Sequence, residues 1–164
     1  MFLDQKQNLF SNALQKQIAP VVDGLEEGIS TGMEQVEMIS SEPLIQPLRS
    51  TYVEVGSYYA SKVAQGFKSI IPLYSFKQGD PDYQRFMNEF IMNLERDRAV
   101  QITETTKQRI KLHLAQSLRD GTNPKVAARK LRNSNIIAGR HRSEMIARTE
   151  IISASNTGSM QGAR

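Results

Sequence analysis

An all-α fold follows from three observations in the sequence. Apolar residues recur at steps of three and four over long stretches, no stretch of any length alternates apolar with polar, and helix start and stop signals punctuate the second half. Together they predict an extended helical bundle of about five to six helices. A long N-terminal helical region comes first, then a C-terminal helical hairpin and a closing helix.

Phe10, Leu14, Ile18, Val21, Leu25, Ile29, Met33 and Val36 form one stripe on one long helix. Pro20 is expected to kink or divide it, because proline removes a backbone donor and crowds the preceding turn. Gly24, Gly28 and Gly32 recur at every fourth position within it. Glycine costs about 1 kcal/mol against alanine in a helix interior, so three in register need a reason. They form either a flexible, broken region or a flat ridge for close backbone packing. Gly56, Ala60 and Ala64 make a matching ridge, and close packing between the two segments, within or between subunits, is the expectation.

The stretch "SSEPLIQPLRSTYVEVGSYYASKVAQGF" reads as a cap, a proline-rich lead-in and a helix from about Leu48 to Phe67. Pro72 and Gly79 bracket an irregular apolar link in "SIIPLYSFKQG". The link divides an N-terminal helical assembly region, 1–72, from a basic helical region, 73–164. Asp80 caps the next helix with Pro81 at its first position, and Phe86, Phe90 and Leu94 follow on it. Thr103 or Thr105 opens another, with Ile110, Leu114 and Leu118 on one face and Gly121 as its stop. Asn123 and Pro124 start a short basic helix, "PKVAARKLR", and the last helix runs from about Gly139 nearly to the terminus. On it Met145, Thr149, Ile152, Asn156 and Met160 form an apolar seam, with Ile146 and Ala154 beside it. Thr149 and Asn156 are expected to bond from this seam to a partner helix.

Hydrophobic residues make up 39% and aromatics 7% of the chain, with no tryptophan, so the core should be aliphatic and thin. Cysteine is absent, which removes disulfides, thiolate nucleophiles and thiolate metal sites and fits an intracellular origin. The opening "MFLDQKQNLF" lacks the apolar run of a signal peptide. No window approaches the roughly 20 apolar residues of a membrane-spanning segment, so a soluble protein is expected. Charge is divided unevenly. Residues 1–97 hold 8 Lys/Arg against 13 Asp/Glu, a balance of −5, while residues 98–164 hold 13 against 4, a balance of +9. Such a split suggests an acidic assembly half and a basic half that faces an anionic partner.

The residues that could carry chemistry are few. His113 and His141 are the only histidines, and neither a His-Glu-x-x-His pattern nor a phosphate-binding Gly-x-x-x-x-Gly-Lys-Ser/Thr loop occurs. Glu144 and Glu150 lie about 120° apart around a helix and so do not share a face. Arg140–Glu144 and Glu144–Arg148 instead form an i,i+4 charge ladder. No catalytic residue, cofactor or metal is expected. Lys125, Arg129, Lys130, Arg132, Arg140 and Arg142 gather in one short region and suit phosphate contact without base reading. Residues 105–133, turning at Gly121, also have the outline of a helix–turn–helix, so a DNA-binding regulator is the alternative. A third reading is an enzyme using Arg142, Glu144, Arg148 and Glu150.

In "RSEMIARTEIISASNTG", the residues Arg142, Ser143, Glu144, Ile146, Ala147, Arg148, Thr149, Glu150, Ala154, Asn156 and Gly158 resemble the signature of the phage Mu F-like family of minor head, or head morphogenesis, proteins. The Ile-Ala-Arg-Thr-Glu core is its most specific piece. The upstream order agrees: a helix stopped by Gly121, then "TNPKVAARKL". The resemblance covers roughly residues 105–164. It implies a structural virion component in the head interior near the portal vertex, made in the host cytoplasm during assembly. Its implied partners are the portal protein, on which it could oligomerise, the scaffold or major capsid protein, and DNA bound nonspecifically during packaging or ejection. Arg148 and Glu150 are expected to be structural, fixing the last helix to its neighbours. Many relatives continue into an Asp-x-Arg-x-Arg-x-x-His segment that this chain lacks, which suggests a shortened member or a fragment.

Overall fold

The computed structural model describes residues 1–70, 81–135 and 137–163, with all side chains in them except those of 68–70, 81–84, 86 and 87. Within them the fold is all-α. Six helices follow one another with no strand: α1 (Leu3–Glu27), α2 (Ile29–Glu37), α3 (Glu42–Ile70), α4 (Pro81–Arg119), α5 (Pro124–Arg132) and α6 (Arg140–Gly162). The expected link around Pro72 and Gly79, and the Asp80 cap, lie outside the described residues.

Three boundaries differ from the sequence reading. First, α1 continues through Pro20 and divides at Gly28, where the backbone is extended and α2 turns back along α1. The turn lets Gly24 and Gly32 meet: a Cβ on Gly24 would stand 3.3 Å from the Gly32 Cα, and one on Gly32 would stand 2.6 Å from Leu25 Cγ. Gly28 itself has open space around it and belongs to no ridge. Second, α3 begins at Glu42, ahead of Leu48. The Ser40 hydroxyl accepts the Glu42 N–H at 3.1 Å, and Pro43 lies in the first turn, where its missing donor has no partner to lose. Pro47 is then absorbed within the helix, its carbonyl accepting the Thr51 hydroxyl at 2.8 Å.

Third, α4 is one helix where two were expected. Thr105 and Thr106 do not cap a new start; their hydroxyls donate back to the Gln101 and Ile102 carbonyls at 2.9 and 2.8 Å. Thr103 accepts Gln17 Nε2 at 2.9 Å, and the same amide reaches the Ser40 carbonyl at 2.7 Å, so Gln17 ties α1 to α4 and to the α2–α3 link. The helix stops where expected. Gly121 takes the left-handed conformation (φ 60), with Gly121 N–H bonded to the Leu118 carbonyl and Thr122 N–H to the Ser117 carbonyl. Asn123 then caps α5, its side chain accepting the Lys125 N–H at 2.9 Å, with Pro124 in the first turn.

One apolar core draws on both sides of residue 72. Phe10, Leu14, Ile18, Val21 and Leu25 of α1 meet Leu44, Leu48 and Val55 of α3, Ile110 and Leu114 of α4, Leu131 of α5, and Ala147 and Ala154 of α6. Lys6 is fully buried beneath α3, bonded to Ser50 and Glu54, both at 2.8 Å. Glu95 is equally buried and held by the Arg49 guanidinium.

The small-residue ridges pack, but not with each other. Gly56 and Ala60 of α3 meet Gly158 and Gly162 of α6, and the two helices run in the same direction. A Cβ on Gly158 would collide with the Gly56 carbonyl and stand 2.8 Å from the Gly56 Cα; one on Gly162 would stand 2.9 Å from the Ala60 Cα. Ala64 is buried further along α3. This close approach decides which face of α6 is inside. Ser143, Ile146, Ala147, Glu150, Ala154 and Gly158 are buried. The expected seam, Met145, Thr149, Ile152, Asn156 and Met160, faces outward instead. Thr149 bonds to the Met145 carbonyl of its own helix at 3.0 Å rather than to a partner.

Candidate nucleic-acid interface

α5 is short and amphipathic in an unusual way, since its apolar side is two alanines and a leucine. Ala127, Ala128 and Leu131 are buried, so Lys125, Arg129, Lys130 and Arg132 are left on the outer side with Val126. Arg140 is exposed at the start of α6. Among the described residues Lys125, Arg129, Lys130 and Arg140 have no carboxylate within ion-pair distance, whereas Arg132 reaches Glu26 of α1 at 3.2 Å. That pair is more than half exposed on both sides and holds the arginine only weakly. The expected Arg140–Glu144 rung does not form. Glu144 pairs with Arg148 alone, accepting from Nε at 3.0 Å and Nη2 at 2.7 Å.

Arg142 departs from this set. It is only 8% exposed and belongs to the buried face of α6, so it is no part of a flat basic surface. It lines a cleft of about 200 Å³ between α4 and α6, together with Arg98, Gln101, Ile102, Thr105, Met145, Ile146, Thr149 and Glu150. Its side chain makes no hydrogen bond or ion pair with a described residue, and its Nε is buried without a partner. Burial, and then the nearby Arg109 charge, push its guanidinium down to about 10.

Glu150 is the other buried charge of α6, and it is fully engaged. The Tyr52 hydroxyl of α3 donates to Oε2 at 2.9 Å, and Arg98 of α4 donates to Oε1 at 2.7 Å and Oε2 at 3.2 Å. Burial and the Glu150 charge hold the Tyr52 phenol well above the usual tyrosine range, while the bond to Glu150 raises Arg98. Glu150 thus fixes α6 to two neighbouring helices. Arg148 does not: it is 63% exposed and bonded only within α6, which corrects the expectation that it too would bridge to a neighbour. Of the four residues of the enzyme reading, Arg142 and Glu150 share the cleft, while Glu144 and Arg148 pair outside it. Tyr52 and Arg98 were not singled out from sequence. Tyr52 follows Leu48 on the buried side of α3, and a hydroxyl on a core face is the signal that could have found it.

Ile146, Ala147, Ala154 and Gly158 of the signature are buried, and Asn156 is exposed. His113 is half-buried on α4 with Nε2 3.2 Å from the Ala127 carbonyl. Among the described residues no three His, Asp or Glu side chains gather as metal ligands, and no helix is long and apolar enough to cross a membrane. Set against family models, curated proteins and solved structures, the chain matches none.

Proposed function

We propose that this chain is a phage minor head protein, a structural virion component that sits with the portal inside the head and touches DNA without reading its sequence. The observation that carries the DNA contact is the outer face of α5 and the start of α6, where Lys125, Arg129, Lys130 and Arg140 form no ion pair with a described carboxylate. Cations so placed neutralise phosphates and release counterions. The link to phage heads rests on the resemblance of residues 142–158 to the Mu F-like signature. In support, Glu150 of that signature bonds α6 to α3 and α4 within the chain, which fits a structural part for the signature helix.

Binding of duplex DNA measured against salt tests the contact. Four phosphate contacts give a log–log slope near −3.6, at roughly −0.9 per contact. Replacing Lys125, Arg129, Lys130 and Arg140 by glutamine should take most of that slope away; an unchanged slope would remove the face from the reading. Co-sedimentation of the whole chain with purified portal protein tests the docking, and failure to co-sediment counts against it.

A second reading, a helix–turn–helix regulator, draws on the capped α4–α5 turn at Gly121 and Asn123 and on the outward side chains of α5. Sequence-selective footprinting that survives raised salt would favour it.

A further inference from the structure

We propose that the cleft between α4 and α6 seats a phosphate oxyanion, with Arg142 as its principal ligand and the Gln101 amide beside it. The motive is a charge with no counter-charge among the described residues. Arg142 is more than nine-tenths buried, its Nε has no partner, and no described carboxylate pairs with it. Glu150, the one carboxylate among the described residues that line the cleft, is taken by Arg98 and Tyr52. Arg109 adds a further positive charge nearby. A buried ion is tolerated in folded proteins when it is paired, and here nothing in the described chain pairs it.

The donors and the space suit a phosphate. The arginine fork matches phosphate oxygens. Gln101 accepts from Arg98 Nη1 through its amide oxygen at 2.9 Å, which leaves its NH₂ as a second donor. The Thr105 and Thr149 hydroxyls are already turned to backbone carbonyls of their own helices and serve only as wall. About 200 Å³ is the room of roughly six or seven waters, enough for a phosphate group, and the cleft opens to solvent, where the ester arms of a larger ligand would run. A free phosphate and a phosphodiester of a nucleic-acid backbone share this chemistry. The seat does not depend on the α5 face, because none of its ligands lies there.

The test is thermal melting of the intact protein in inorganic phosphate, against chloride and acetate at equal ionic strength. Phosphate at about a hundredfold over its Kd should raise Tm saturably by about 5–10 °C. Arg142→Met, which keeps the volume and removes the charge, should abolish the rise. Gln101→Leu should weaken binding and keeps the test open should Arg142→Met not fold. No saturable rise in the wild type, an equal rise in acetate, or an undiminished rise in Arg142→Met would each overturn the proposal. Phosphate is then titrated against a short single-stranded oligodeoxynucleotide. Competition assigns the seat to backbone phosphate, and its absence, with the Tm rise intact, to the free ion. The four-residue α5 variant should keep the phosphate response, so loss of DNA binding by that variant and loss of the seat are read separately.

Discussion

Adding one methyl group at Gly158 should weaken the whole bundle. The new Cβ would lie 2.7 Å from the Gly56 carbonyl carbon and 2.8 Å from its Cα, and would overlap the carbonyl oxygen. Carbon–carbon contacts are comfortable at about 3.5–4.0 Å, so α3 and α6 must separate by about 1 Å. The obstruction is backbone, which has no rotamer to move into. Overpacking of this kind costs about 3 kcal/mol at the upper end of its usual range, and alanine returns about 1 kcal/mol as the better helix former. The net loss is about 2 kcal/mol, which for a chain of this length lowers Tm by about 4–8 °C. Gly66→Ala on α3 supplies the control. Among the described residues nothing lies within 4 Å of its Cβ position, so that substitution should stabilise by up to about 1 kcal/mol. Paired calorimetric melts of the two variants decide the matter. If Gly158→Ala raises Tm as Gly66→Ala does, the two backbones do not touch and the account of α6 packing is wrong.

Two further outcomes follow from the buried charges. Glu150→Gln should cost about 2–3 kcal/mol in denaturant midpoint, the low side of a broken buried pair because Arg98 is 28% exposed and rehydrates. The same variant should lower the Tyr52 titration towards the ordinary range, and an unmoved tyrosinate absorbance curve would contradict the bond. Glu54 is held below its usual value of 4.5 first by its bond to Lys6 and then by Ser50, so its stabilisation is present above that pH and is lost as pH falls through the depressed value. Glu54→Gln should therefore be less stable than the wild type near neutrality, with the difference closing below about pH 4.5. A difference that stays constant into acid would show that the pair does not act on stability.

What the sequence made legible was what a few neighbouring residues decide alone. The stop at Gly121 and the cap at Asn123 are local, since each needs only its own backbone and the next turn. The burial of Phe10, Leu14 and Ile18 is equally readable, because three large apolar side chains on one stripe have nowhere else to go. Thr103 and Thr105 misled because each is put to another use inside one helix: Thr105 bonds back to the Gln101 carbonyl, and Thr103 accepts from Gln17 of α1. The outward seam of α6 misled for a different reason. Periodicity weights large apolar residues, yet Ala154 and Gly158 win the inside because they let two backbones come close. Of the candidate interface, the α5 cations could be read from composition and spacing. The solitary position of Arg142 could not, for it depends on Glu150 being taken by Tyr52 and Arg98 from distant parts of the chain.

The Tyr52–Glu150 bond joins positions 98 apart along the chain. Bringing ends so distant together costs roughly 4 kcal/mol in chain entropy beyond a constant, and the cost falls due before any contact is gained. Among the described helices α6 comes after α4 and α5 in chain order, so α3 and the helix that fills its groove are far apart in the sequence. The docking of α6 on α3 therefore carries a chain-closure cost that its contacts must offset, and Gly158 and Gly162, which let the two backbones meet, are where that contact is made.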